Sequence, residues 1–217
     1  MAQTLLSMAG AAYAKPDLSA SVLVMIDCQQ EYTDHALALP DTGPASAEAA
    51  RVAAKVRASG GKVIHVRHQG KAGGAFDLDH ARGAFIPACA PEGGEPVVTK
   101  GLPNAFAGTD LADQLSGLGK RTLILTGFMT HMCVSATARA ALDAGFGPAV
   151  VVADACATRD LPHPTEPDKV MAARDLHEME LAALADRFPG GQRSAGSPSQ
   201  ARPRRPRARH PRSDRER

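Results

Sequence analysis

The feature that most constrains this chain is Ser21–Asp27 (SVLVMID), an unbroken apolar run rich in Val and Ile and closed by an acid. A strand that alternates in polarity can leave one face in water, but a strand apolar on both faces must be covered on both. Similar short runs recur at Lys62–His68 (KVIHVRH), Pro96–Lys100 (PVVTK), Arg121–Gly127 (RTLILTG) and Pro148–Ala153 (PAVVVA). Stretches with helical periodicity separate them. Ala45–Ala58 puts Ala45, Ala49, Val52, Ala53 and Val56 on one face. Thr109–Leu118, capped by Thr109 or Asp110, turns Leu111, Leu115 and Leu118 inward. His131–Ala144 buries Val134, Ala138, Ala141 and Leu142, and Asp168–Arg187 does the same with Ala172, Leu176, Met179 and Ala183. Strands alternating with helices predict an α/β fold, with a mainly parallel sheet covered on both faces.

The 217 residues suffice for one domain with a proper core. That domain is expected to span residues 1–188. Residues 69–95 are rich in Gly, Pro and Ala and have no periodicity, which predicts a long functional loop. From Pro189 the composition changes to Arg, Pro, Ser and Gly, so residues 189–217 are expected to form a disordered tail. The tail holds nine arginines against Asp214 and Glu216, a net +7, so the chain's +2 leaves −5 on residues 1–188. Any polyanion binding would therefore rest on the tail, which has no aromatic residue to stack on bases, and no nucleic-acid partner is expected. No apolar run approaches a membrane span, and Met1–Ala14 lacks the basic start of a signal peptide. Cys28, Cys89, Cys133 and Cys156 are widely spaced with no CxxC pair, which suggests reduced thiols in a cytoplasmic protein.

Ligands of parallel α/β sheets sit at the carboxyl ends of the strands. Asp27 closes the first strand, Lys100 closes the third, and Cys133 follows the fourth at a helix start. A thiolate is the reactive form of cysteine, and a helix N-terminus or a nearby cation lowers its pKa. An acid such as Asp27 can take the thiol proton and return it to a leaving amine. Taken singly, each residue also has a plain structural role: a turn acid, a solvated lysine, a packed thiol. Position and residue type alone leave both readings open.

The local sequences add a resemblance. Val24-Met25-Ile26-Asp27-Cys28-Gln29, Val98-Thr99-Lys100 and Thr126-Gly127-Phe128-Met129-Thr130-His131-Met132-Cys133-Val134 resemble the signature segments of the isochorismatase-like cysteine hydrolases. Leu102–Thr109 and Val152–Thr158 resemble that family as well, and the likeness covers about residues 20–188. It implies a three-layer α/β/α, Rossmann-like fold. It also implies an Asp27–Lys100–Cys133 site that cleaves a small amide through an acyl-enzyme on Cys133. A cis Phe128–Met129 peptide would align the N–H groups of Met129 and Cys133 as an oxyanion hole. Gln29, Tyr32, His68 and Phe106 are candidates for the substrate pocket, and His131 for orienting the turn.

Nicotinamidases of this family that use a metal carry an Asp-x-His pair, which is absent beside His65 and His68. No metal and no cofactor are therefore expected. The substrates implied are cyclic amides such as streptothricin-type lactams, N-carbamoyl compounds or ureido compounds. A nicotinamidase-like amidase and a non-enzymatic polyanion-binding protein using the basic tail are the alternatives. Family members commonly assemble, so a homo-oligomer is expected. They also continue into a final strand after the last helix, where this chain turns to Pro189-Gly190-Gly191 and arginines. The sheet is accordingly expected to lack its last strand, as though a reading-frame shift had replaced the native ending.

Overall fold

The computed structural model describes residues 2–11, 15–119, 122–147 and 149–188, and the basic tail lies outside the described residues. Strand β1 (Ser21–Ile26) is buried along its whole length and pairs in parallel on both sides. Its neighbours are β2 (Lys62–His68) and β4 (Thr122–Phe128). Outside them run β3 (Val97–Lys100) and β5 (Val150–Ala157), giving a five-stranded, all-parallel sheet of order β3-β2-β1-β4-β5. The chain winds outward through β1, β2 and β3, then returns to the other side of β1. That reversal puts the topological switch point between β1 and β4, where sheets of this kind bind their ligands.

The period-two alternation of β1 divides the core into two layers. Val22, Val24 and Ile26 face one side, with Leu111 and Leu115 of α4 (Leu111–Gly117), Ala138 and Ala141 of α5 (Ser135–Asp143), and Leu181 and Leu184 of α6 (Ala173–Ala185). Leu23 and Met25 face the other, against Ala45, Ala49, Val52, Ala53 and Val56 of α3 (Thr42–Ala58), which follows the short helices α1 (Leu5–Met8) and α2 (Glu31–Asp34). Each large side chain fully buried this way contributes about 1.5–3 kcal/mol, so both layers are needed to hold β1. The three-layer α/β/α arrangement expected from the sequence is the one observed.

Several boundaries differ from expectation. Helix α3 begins at Thr42 rather than Ala45, because Gly43-Pro44 fall in its first turn, where proline's missing N–H costs nothing. Strand β5 runs on to Ala157, past Ala153, across a register shift between Leu125 and Gly127 of β4. Residues before α6 form a small antiparallel ribbon of Leu161–Pro162 with Val170–Met171, so that helix starts at Ala173 rather than Asp168. The inward face of α6 is also offset by one residue. Ala173, Leu181 and Leu184 are buried, whereas Ala172 and Ala183 are exposed and Met179 is 49% exposed. Two stripes one residue apart both carry apolar residues here, and only packing against β5 and the turn Thr130–Val134 selects between them.

Gly127 marks the closest approach of β4 to β1. Its φ is +115°, and a Cβ there would lie 1.9 Å from the carbonyl oxygen of Ile26. Only glycine fits, and the acid that follows Ile26 is thereby held beside the end of β4.

Candidate active site

Asp27 leaves β1 with φ +51° and turns its carboxylate into the sheet edge, where it is fully buried. Its backbone N–H still donates to Val66 of β2 at 2.9 Å, so the turn is anchored to the sheet. Lys100 ends β3 with a completely buried side chain, and its Nζ lies 2.7 Å from Asp27 Oδ2. The same ammonium donates to Cys133 Sγ at 3.3 Å and to His68 Nδ1 at 3.2 Å. A lysine has three N–H donors. Two of them go to Cys133 and His68, and the charge is paired with the Asp27 carboxylate.

Cys133 sits in a π-helical turn, Thr130–Val134, that feeds α5. The Phe128–Met129 peptide just before it is cis, at the bond the family resemblance implied. The Met129 carbonyl accepts from Met132 at 3.0 Å and from Val134 at 3.2 Å, which winds the turn around Cys133. Thr130 is buried, and its hydroxyl lies 3.1 Å from the Ala157 carbonyl and 2.8 Å from His177 Nδ1 on α6. His131 bonds through Nδ1 to Thr158 Oγ1. The turn is thus tied to β5 and α6 by residues whose importance sequence reasoning missed, Thr130 and His177. Their signal was present: His177 shares the i, i+4, i+8 stripe of Ala173 and Leu181, the face that turned out to be inward.

Electrostatics correct one expectation. Burial pushes the Cys133 thiol up to about 12, and the Asp27 charge adds to that push while Lys100 opposes it. The pull of the lysine does not win, because the thiol lies in a buried site shared with a carboxylate. Cys133 therefore rests as the thiol, not the thiolate. Burial also raises Asp27, against the pull of Lys100 and Cys133. A carboxylate whose pKa is raised is a stronger base toward the thiol proton.

The pocket candidates separate into different roles. Gln29 is fully buried, and its amide is occupied by the backbone: Nε2 donates to the carbonyls of His68 (3.0 Å) and Gly83 (2.9 Å), and Oε1 accepts from the His68 N–H (2.8 Å). It is a clamp between the end of β2 and the long loop. Tyr32 is buried edge-on between Phe76 (5.1 Å) and Phe128 (5.5 Å). His68 is half-buried, packs edge-on against Phe76 at 5.1 Å, and reaches Lys100. Phe106 stacks on Phe146 at 5.6 Å, against the apolar layer that contains Cys133. Its loop is tied to α5 by the Ala105 N–H, which donates to Thr137 Oγ1 at 3.1 Å. Cys28, Cys89 and Cys156 are buried free thiols.

The Isochorismatase domain family model matches residues 21–188. The secreted isochorismatase effector Isc1 of Verticillium dahliae is 34% identical over 183 residues, covering 84% of this chain and 92% of its own. A streptothricin hydrolase of Streptomyces noursei is 34% identical over 184 residues, covering 83% of this chain and 65% of its own. The crystal structure of an isochorismatase from Pseudomonas putida superposes with a TM-score of 0.82 at 40% identity, covering 89% of this chain and 97% of that one. With the family model spanning nearly all of the described core, the chain belongs to the isochorismatase family of hydrolases.

Proposed function

We propose that this protein is a cysteine amidohydrolase that cleaves a C–N bond of a small molecule through an acyl-enzyme on Cys133. One observation carries the reading: a single buried ammonium, Lys100, bridges the carboxylate of Asp27 and the sulfur of Cys133. Cys133 Sγ attacks the amide carbonyl carbon while its proton passes to Asp27. The N–H groups of Met129 and Cys133 receive the developing oxyanion. The C–N bond then breaks, and Asp27 returns the proton to the leaving amine. A water deprotonated by Asp27 attacks the thioester, the acid departs, and the thiol is restored.

In the metal-independent form of the reaction proposed, each strand histidine has one ring nitrogen engaged by a protein side chain. His65 Nε2 is held by Glu95 at 2.8 Å and His68 Nδ1 by Lys100. Among the candidate substrates, the streptothricin hydrolase relative supports a cyclic amide of the streptothricin type; N-carbamoyl and ureido compounds remain candidates from the family likeness. No helix among the described residues is long and apolar enough to cross a membrane. Four free thiols fit a reducing, cytoplasmic compartment, and assembly of identical chains completes the reading.

The test is release of ammonia or amine from a panel of small amides, lactams and ureido compounds. Wild type and Cys133→Ala are run in parallel, with and without EDTA. Turnover that falls to the uncatalysed rate in Cys133→Ala and ignores EDTA is the expected result. Activity that survives in Cys133→Ala, or that EDTA removes, would overturn the proposal.

A further inference from the structure

We propose that His68 is a positioning residue of this site, fixing Lys100 through Nδ1 and thereby presenting Nε2–H to an acceptor oxygen of the substrate. That oxygen would be a carbonyl or carboxylate other than the scissile one; this half rests on the amidase reading above.

The argument starts from donor count. The Lys100 ammonium can only donate, so the nitrogen it meets at 3.2 Å must be a bare acceptor. Nδ1 of His68 is therefore unprotonated and a neutral ring carries its proton on Nε2. Burial and the adjacent Lys100 charge hold the imidazole pKa down at about 4, so this tautomer persists through the neutral range. A cationic ring would place two positive charges in contact.

The residue is also held through its backbone and by an aromatic neighbour. Gln29, two residues beyond Asp27, grips both the N–H and the carbonyl of His68 (2.8 and 3.0 Å). Phe76 packs on the ring, Tyr32 packs on Phe76, and Phe128 packs on Tyr32, so an aromatic row links His68 to the residue that begins the cis peptide. No protein group bonds Nε2 among the described residues. A donor whose orientation is fixed this thoroughly, and whose proton has no partner, is pre-organised for a ligand. Without His68, the third N–H of Lys100 loses its acceptor and the ammonium is free to turn away from Cys133.

Three measurements test this. Nitrogen NMR of histidine-labelled protein at pH 7 should show the His68 ring, identified by its loss in His68→Asn, as the neutral Nε2–H form. An Nδ1–H form or a protonated ring would overturn the proposal. Alkylation of Cys133 by iodoacetamide, which needs no substrate, should slow about fivefold in His68→Ala. It should stay within about twofold in His68→Asn, whose Oδ1 can stand where Nδ1 stood and accept from Lys100. An unchanged rate in a folded His68→Ala would overturn it. On whichever panel amide Cys133 turns over, His68→Asn should raise KM about tenfold with little change in kcat. An unchanged KM would remove the acceptor-binding half. A panel silent throughout, with tautomer and alkylation as expected, would sink the amidase reading and leave the Lys100 anchor standing.

Discussion

Lys100 shows why single residues at this site have consequences beyond chemistry. Its charge is enclosed with that of Asp27, both side chains being fully buried, and each is tolerable only because the other is present. Lys100→Met should therefore cost about 3–5 kcal/mol of stability, measured by urea unfolding at pH 7, because an unpaired carboxylate is left in a dry site. Asp27→Asn combined with Lys100→Met should recover a good part of that loss, and failure to recover any of it would mean that the pair is not coupled. Asp27, Lys100 and Cys133 were legible as candidates from residue type and strand position, and the family likeness singled them out. Their shared ammonium was not legible, since nothing in the sequence places His68, Cys133 and Asp27 around one nitrogen. Gln29 shows the opposite limit: a polar side chain beside a catalytic candidate looks like a ligand contact until its amide is found occupied by backbone.

At the scale of elements, the long segment between β2 and β3 is held by two ion-pair clusters. Arg82 forks onto Glu31 (Nε–Oε2 2.5 Å, Nη2–Oε1 2.9 Å), fixing the loop to the short helix after β1. Arg57 at the end of α3 forks onto Glu95 (2.7 and 2.8 Å), which also takes His65 of β2 at 2.8 Å. Burial opposes the Glu95 charge, but the Arg57 and His65 bonds and a backbone N–H outweigh it and lower its pKa to about 2. A carboxylate whose folded pKa is depressed stabilises above its unfolded value and ceases to do so as pH falls through the folded one. Glu95→Gln should thus destabilise by about 1–3 kcal/mol at pH 7. The gap to wild type should narrow as pH falls from 4.5 toward about 2, followed by denaturant titration at each pH. A gap that did not change with pH would refute the charge argument. These clusters explain what the sequence concealed: composition marked residues 69–95 as an irregular loop, but pairings 51 and 38 residues apart give no local signal. Regular elements with one apolar stripe, such as α3, were legible to within a turn. Helix α6, with two competing stripes, was legible as a helix but not as a face.

For the whole molecule, the periodicity of five apolar runs conveyed a covered parallel sheet, while the strand order that creates the switch point between β1 and β4 emerged only from the structure. Phe188 is buried against the core layer, so the folded unit reaches at least that far. A chain ending there should keep its amide turnover and lose retention on heparin, compared with the full chain in the same buffer; lost turnover would tie residues 189–217 to the enzyme. Complete enclosure of Lys100 also makes that residue a gauge of how often its site opens to reagents. Amine-reactive labels should modify exposed lysines such as Lys71 and Lys169 at once, yet reach Lys100 only as the site around it opens. The slow labelling of one peptide, followed by mass spectrometry over hours, would then report how often the site breathes, without any denaturant.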